Sequence, residues 1–308
     1  MNTYYPEGWL LDSEENNNAM KSEQSLQECI AKKQILEARA TLCDSAHNLH
    51  VNLGCMKGII PREEGAVGIK EGTVRDIALI ARVNKPVCFT VQSIEKDNDG
   101  SSYALLSRRQ AQELCSKEYI SSLLPGDIIN ARVTHLEPFG AFCDIGCGII
   151  SLIPIDMISV SRISHPRDRF APGYDIKTVV KSVDTDGRIS LSHKELLGTW
   201  EENAAAFEQG QTVSGIIRSV EDYGVFVELT PNLAGLAEPH ENVYAGQQAS
   251  VYIKSLIPEK MKVKLIIVDS FDADYSPAEL KYFLTEGHID KWVYSPKSCD
   301  KVTETIFE

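Results

Sequence analysis

The sequence contains no apolar run approaching the roughly 18 to 20 residues that a membrane-spanning helix needs. No membrane partner is expected. Its first residues, MNTYYPEGWLLDSEENNN, have neither a basic region nor a long apolar stretch, so no secretory signal is expected. Cysteine is sparse: Cys29, Cys43, Cys55, Cys88, Cys115, Cys143, Cys147 and Cys299 are spread over 308 residues, too dilute for a disulfide scaffold. Reduced thiols in a cytoplasmic protein are expected. There is no G-x-x-x-x-G-K-[ST] phosphate loop and no H-E-x-x-H zinc motif. Asp184 and Asp186 fall in the turn sequence VDTDGR rather than in a metal-binding carboxylate cluster. Cys143 and Cys147 have no second Cys or His pair nearby and read as small apolar strand residues. The expectation is therefore a non-enzyme with no cofactor, no metal and no small-molecule substrate.

Positive charge is also scarce, with 31 Lys and Arg against 44 Asp and Glu and a net charge of -13. That total argues at first against a polyphosphate partner. The distribution along the chain argues the other way: residues 33 to 110 sum to +2, 124 to 197 to -1 and 209 to 269 to -2, leaving most negative charge in tails and connectors. A near-neutral domain can still gather its cations on one face.

What the sequence does have is a repeat. GDIINARVTHLEPFGAFCDI at 126 to 145 aligns without a gap on GQTVSGIIRSVEDYGVFVEL at 210 to 229, an offset of 84 residues. Phe139 matches Tyr223, Gly140 matches Gly224 and Phe142 matches Phe226. Each copy alternates apolar and polar residues between Gly, Pro, Asn and Asp punctuation, which predicts five short strands closing into a small barrel. Gly140 and Gly224 are expected to interrupt the second strand at a bend. Residues 33 to 110 form a third, degenerate copy, with His47 and His50 roughly where the aromatic pair should be. These histidines read as partly buried or surface strand residues.

The expected architecture is all-β with helical linkers: three tandem five-stranded barrels, the first degenerate, and a short helical C-terminal tail. Residues 1–32 form an acidic tail and helix, with 12 to 18 disordered. The barrels occupy 33–110, 124–197 and 209–269, the linkers 111–123 and 198–208, and the tail 270–308. Leu197, Trp200, Ala204 and Phe207 share a helical stripe in the second linker. Ser276 and Pro277 offer an N-cap and first turn for a tail helix through Phe283. Tyr282, Phe283, Trp292 and Tyr294 are expected to dock on a neighbouring domain.

With EPFGAFCDIG at 137 to 146, SRISHP at 161 to 166 and the connector LSHKELLGTW, the chain resembles the S-one RNA-binding domain, and more closely the bacterial ribosomal protein S-one family, over roughly 33 to 268. The resemblance implies OB-fold barrels similar to that protein's domains two to four. It also implies binding of single-stranded RNA or mRNA and association with the small ribosomal subunit in the bacterial cytoplasm. The family's Asp and Arg of the last turn are matched by Asp184 and Arg188, whereas the third unit has Ile257 and Met261 or Lys262 there. Pro154 and Glu238 stand where RNA-binding members usually carry His.

Bases of single-stranded RNA stack on aromatic faces while cations follow the phosphates. In the middle unit the candidates are Phe139 and Phe142 with Arg132, Arg162, Arg167, Arg169, Lys181, Asp184, Arg188 and Lys194. In the third unit they are Tyr223 and Phe226 with Arg218, Lys254 and Lys262. His135, His165 and His193 are further candidates for hydrogen bonds to RNA. Either aromatic pair can instead be barrel core. A protein-interaction adaptor whose first and third barrels have lost their RNA surfaces remains a second reading.

Overall fold

A computed structural model describes residues 4–272 and 280–308. Three closed five-stranded barrels follow one another along the chain. The first is built from β1 (Ile35–Cys43), β2 (Leu49–Asn52), β3 (Lys57–Ile60), β4 (Pro86–Lys96) and β5 (Ser102–Ser107). The middle one comprises β6 (Ile128–Glu137), β7 (Gly140–Asp144), β8 (Ile150–Pro154), β9 (Asp175–Val183) and β10 (Ile189–Ser192). The third comprises β11 (Thr212–Glu221), β12 (Gly224–Thr230), β13 (Leu233–Ala237), β14 (Gln248–Ile257) and β15 (Lys262–Phe271). Each barrel closes through a parallel pairing of its third and fifth strands, such as Leu152 with Ser190 and Leu236 with Lys264. Among the described residues, no helix is long and apolar enough to cross a membrane. All eight cysteines are free thiols.

The chain divides into two compact units, the first comprising Met1–Leu123 with Asn130–Arg132 and Asp144–Ile150, the second the remainder. In the first unit, alternation along β1, β4 and β5 sends Leu36, Ala38, Phe89, Val91, Ala104 and Leu106 into one apolar core. Helix α1 (Glu14–Ala19) replaces the disorder expected at 12 to 18. Ser13 caps it by accepting from the Asn16 amide, and the Asn16 side chain exchanges two hydrogen bonds, 2.9 and 2.8 Å, with the backbone of Glu37. Helix α2 (Glu23–Lys32) buries Leu26 and Cys29. A four-residue helix, α3 (Ile77–Ile80), lies between β3 and β4, and the first linker is α4 (Arg108–Glu118).

Buried charge ties the N-terminal segment into this unit. Glu7 receives Arg108 at 2.6 Å and Arg82 at 3.1 Å. Burial pushes the Glu7 carboxyl up, but these two guanidinium groups hold it below the usual range. Glu37 accepts the amides of Gly8 and Leu10, and Asp144 those of Glu7, Gly146 and Gly148. Burial pushes the Glu37 carboxyl up to about 7, and burial with the neighbouring Glu7 charge does the same for Asp144.

The second unit has its own core, and the C-terminal segment is part of it. Ile289, Trp292, Tyr294 and Phe307 pack with Ile217, Val227, Leu265 and Trp200. The tail carries no helix among the described residues. It forms instead a two-stranded sheet of β16 (Lys291–Val293) and β17 (Glu304–Ile306), pairing Trp292 with Thr305. Ser276 and Pro277 lie outside the described residues, and residues 280–283 are not helical. The second linker is helical only over α5 (Trp200–Ala204), preceded by a 3-10 turn at Lys194–Leu197. The Tyr294 hydroxyl donates to the Asn232 carbonyl at 2.6 Å, consistent with docking of the tail aromatics.

His193 is wholly buried, so it is no RNA ligand. Its Nδ1 faces the Ile158 carbonyl at 2.8 Å and its Nε2 the Tyr282 hydroxyl at 3.1 Å. Burial pushes its pKa down to about 4. The surroundings of Glu37 and of His193 are therefore expected to respond to pH with opposite sign. The raised Glu37 and Asp144 values mean that the folded first unit holds protons the unfolded chain has released, so their contribution is full near pH 4 and lost as pH rises through about 7. The lowered His193 value gives the second unit a contribution present above pH 6.5 and lost as pH falls towards 4. The Glu37 and His193 terms are each on the order of 3 kcal/mol. Hydrogen exchange on the full chain at pH 5 and pH 8, corrected for intrinsic rates, is expected to show protection falling around Glu37 and rising around His193 as pH increases. Parallel changes in both would refute the assignment.

Candidate nucleic-acid interface

The repeated glycines open the second strand of their barrels rather than interrupting it. At Gly140 a Cβ would lie 2.4 Å from the Ile153 carbonyl oxygen, and at Gly224 2.4 Å from that of Ala237. The turn backbone therefore sits against the third strand, and the residue before the glycine is turned outward. Phe139 is 55% exposed and Tyr223 65%, while Phe142 and Phe226 are half-buried behind them. The rings of Phe139 and Phe142 meet edge to face at 5.9 Å and 88°, those of Tyr223 and Phe226 at 6.1 Å and 87°. Neither Phe139 nor Tyr223 is core. In the middle barrel His135 extends the aromatic surface, stacking on Phe142 at 6.1 Å and 27°.

The first barrel keeps the register but not the rings. His50 pairs with Ile59 and Leu49 with Ile60, as Phe226 pairs with Leu236 and Val225 with Ala237. His50 lies 3.0 Å from Asp44, while His47 and Arg62 share Asp76 at 3.4 and 2.8 Å. Hydrogen bonds from His50 and from Asn48 hold the Asp44 carboxyl well below the usual range. The position of the platform is occupied by a polar network.

The candidate cations separate into two groups. Arg162, Arg167, Arg188, Lys181 and Lys262 have no ion-pair partner among the described residues. Arg188 follows the β9–β10 turn, where the Asp184 carboxylate accepts the amides of Asp186 and Arg188 at 2.9 and 2.8 Å; Asp184 shapes the turn that presents the arginine. Lys194 reaches the Asp156 carbonyl at 3.4 Å, and Lys254 pairs with the exposed Glu238 at 3.4 Å.

Three arginines expected on the RNA surface are structural. Arg132 donates to the Glu7 carbonyl at 3.0 Å. Arg169, 3% exposed, pairs with Glu228 at 2.5 Å, and Arg218 binds Glu228 at 2.9 Å and Asp168 at 3.5 Å. Buried charges persist only when paired, so Glu228 between two guanidinium groups is a lock rather than a ligand site. His165 is occupied too, its Nδ1 accepting the Arg167 amide at 3.1 Å. Cys143 and Cys147 are both buried; Cys147 sits not on a strand but in the turn after β7, at φ 51°. Lys264, which lines the same cleft as Tyr223 and Phe226, is not among the residues expected from the sequence. Its signal is the alternation Lys262, Val263, Lys264, Leu265, in which the apolar members are buried and the lysines exposed.

Residues 123–194 match the family model of the S1 RNA binding domain, the domain written S-one above. The chain is 29% identical over 264 residues to small ribosomal subunit protein bS1 of Staphylococcus aureus, covering 80% of this chain and 64% of that protein. It is 32% identical over 213 residues to a bS1 homolog of Bacillus cereus, covering 62% of this chain and 55% of the relative. With bS1 of Leuconostoc lactis it shares 30% identity over 70% of this chain and 52% of the relative. The chain thus spans between half and two thirds of the length of these relatives.

Proposed function

Because the chain belongs to the S1 family, we propose that it binds single-stranded RNA without catalysing a reaction on it, with the middle barrel as the principal platform. The observation that carries this reading is the outward Phe139 ring, braced edge-on by Phe142, on a barrel whose Arg188 has no ion-pair partner among the described residues. An exposed ring of this kind offers a face to a base, and the cations neutralise the adjoining phosphates. Within that role we propose that the protein acts on mRNA in the bacterial cytoplasm, at the small ribosomal subunit that the names of its relatives give. The polar network at His47 and His50 favours a protein-contacting, adaptor role for the first barrel.

The test is binding of a fluorescent single-stranded RNA to the full chain over a salt series, together with co-sedimentation with small ribosomal subunits. Log affinity is expected to fall against log salt with a slope of about -0.7 for each phosphate neutralised. Several unpaired cations imply a slope of at least about -2 on the same scale. Binding indifferent to salt would count against a phosphate-tracking surface, and failure to co-sediment would leave RNA binding without the ribosomal role.

A further inference from the structure

The loop between β8 and β9, read from sequence as part of the middle barrel's own RNA surface, is held against the third barrel. The Ser161 amide donates to the Pro231 carbonyl at 3.1 Å, its hydroxyl to the Thr230 carbonyl at 3.3 Å, and the Val160 amide to Asn232 Oδ1 at 3.0 Å. At the loop's other end, Asp168 and Arg169 bind Arg218 and Glu228. Between these two anchors Arg162 is exposed and has no hydrogen-bond or ion-pair partner among the described residues.

Arg162 and Ile163 line a cavity of about 510 Å³ together with Ser219, Tyr223, Phe226 and Ala234 of the third barrel. A second cavity, about 500 Å³, adjoins the other side of the same two rings and is lined by Lys254, Lys262 and Lys264. Each volume lies within the roughly 300 to 1,000 Å³ of small-ligand sites. The ring pair thus stands between two arginines, Arg162 and the Arg218 that pairs with Glu228, and three lysines. Glu221 in the first cavity and Glu238 in the second are the only carboxylates among these lining residues.

We propose that Arg162 serves the third barrel: the cleft between the β8–β9 loop and the β11–β13 sheet takes one unstacked nucleotide of a single-stranded RNA. Its base lies against Tyr223 and Phe226, a phosphate meets Arg162, and the strand continues over Lys262 and Lys264. The third barrel lacks the Asp and Arg that build the last turn of the middle one, having a 3-10 turn at Pro258–Lys260 instead. The preceding barrel's loop supplies the missing cation. The anchors on either side reduce the conformational entropy lost when the loop engages RNA. This inference rests on the RNA-binding reading above.

The experiment measures binding of a fluorescent oligouridylate to the full chain in two double-mutant cycles, Arg162→Ala with Tyr223→Ala and Arg162→Ala with Phe139→Ala. Arg162 and Tyr223 are exposed, so both single variants are expected to fold. Arg162→Ala is expected to weaken binding about 3- to 10-fold and to reduce the magnitude of the salt slope by about 0.7. Arg162→Lys should recover most of the affinity. The Arg162 and Tyr223 effects are expected to be non-additive by at least about 2-fold, and those of Arg162 and Phe139 additive. Coupling to Phe139 instead of Tyr223, or unchanged binding by Arg162→Ala, overturns the inference while the RNA-binding reading stands. A wild-type chain that binds no single-stranded RNA overturns both.

Discussion

Replacing Phe139 and Phe142 together with alanine is expected to weaken binding of single-stranded RNA by the full chain by about 2 to 6 kcal/mol, the loss of two base stacks at roughly 1 to 3 kcal/mol each. The lower end applies if the two rings are coupled, as their edge-to-face contact at 5.9 Å suggests. The loss should come with little loss of fold. Phe139 is 55% exposed, so its truncation removes little buried area, whereas the half-buried Phe142 accounts for most of any change in stability. The binding isotherm and the thermal transition of the same variant separate the two effects. A variant that stays folded and binds RNA unchanged would end the assignment of this pair as the platform, and one that unfolds would make Phe142 a core residue rather than part of a binding surface. His135→Ala, which removes the ring stacked on Phe142, should produce a smaller loss in the same direction.

Glu228→Ala is expected to destabilise the second unit by about 3 to 5 kcal/mol, the cost of leaving a buried charge without its partner. Arg169 is 3% exposed and its carboxylate partner is Glu228, while Arg218 would keep Asp168 at 3.5 Å. At 2 to 4 °C per kcal/mol for a unit of this size, the melting temperature should fall by roughly 6 to 20 °C. The double replacement Arg169→Met with Glu228→Leu should recover part of that loss, because Arg169 no longer lies buried without its carboxylate while Arg218 keeps Asp168. If Glu228→Ala melts with the wild-type chain, the pair is not what holds the β8–β9 loop in place. A surface ion pair, typically worth 0 to about 1 kcal/mol, would give that result.

The same pair shows where reading the sequence runs out. Arg162, Arg167 and Arg169 lie within eight residues and look alike along the chain, yet Arg162 and Arg167 have no ion pair among the described residues while Arg169 is buried. The difference is a glutamate 59 residues further on. Arg132 and Arg218 are settled in the same way, by the Glu7 carbonyl and by Glu228. The middle barrel cut out with its flanking linkers, as residues 120 to 208, would also lose the Tyr282 partner of its buried His193.

The barrels, their number and their aromatic corners were determined by the sequence alone, because those features depend on local chemistry. Two-residue alternation sets which face of a strand is buried, and the 84-residue offset carries the first three strands of the middle barrel onto their counterparts in the third to within a residue, Gly140 onto Gly224 and Phe139 onto Tyr223. The helix at Glu14–Ala19, the incorporation of the C-terminal aromatics into a core and the roles of individual arginines were decided only by the tertiary structure. Asn16 is held by the backbone of Glu37, Trp292 by the core it shares with Trp200, and Arg169 by Glu228. Such contacts join residues far apart in the chain, and whether a charge, an amide or an indole is exposed or satisfied depends on what folding brings beside it.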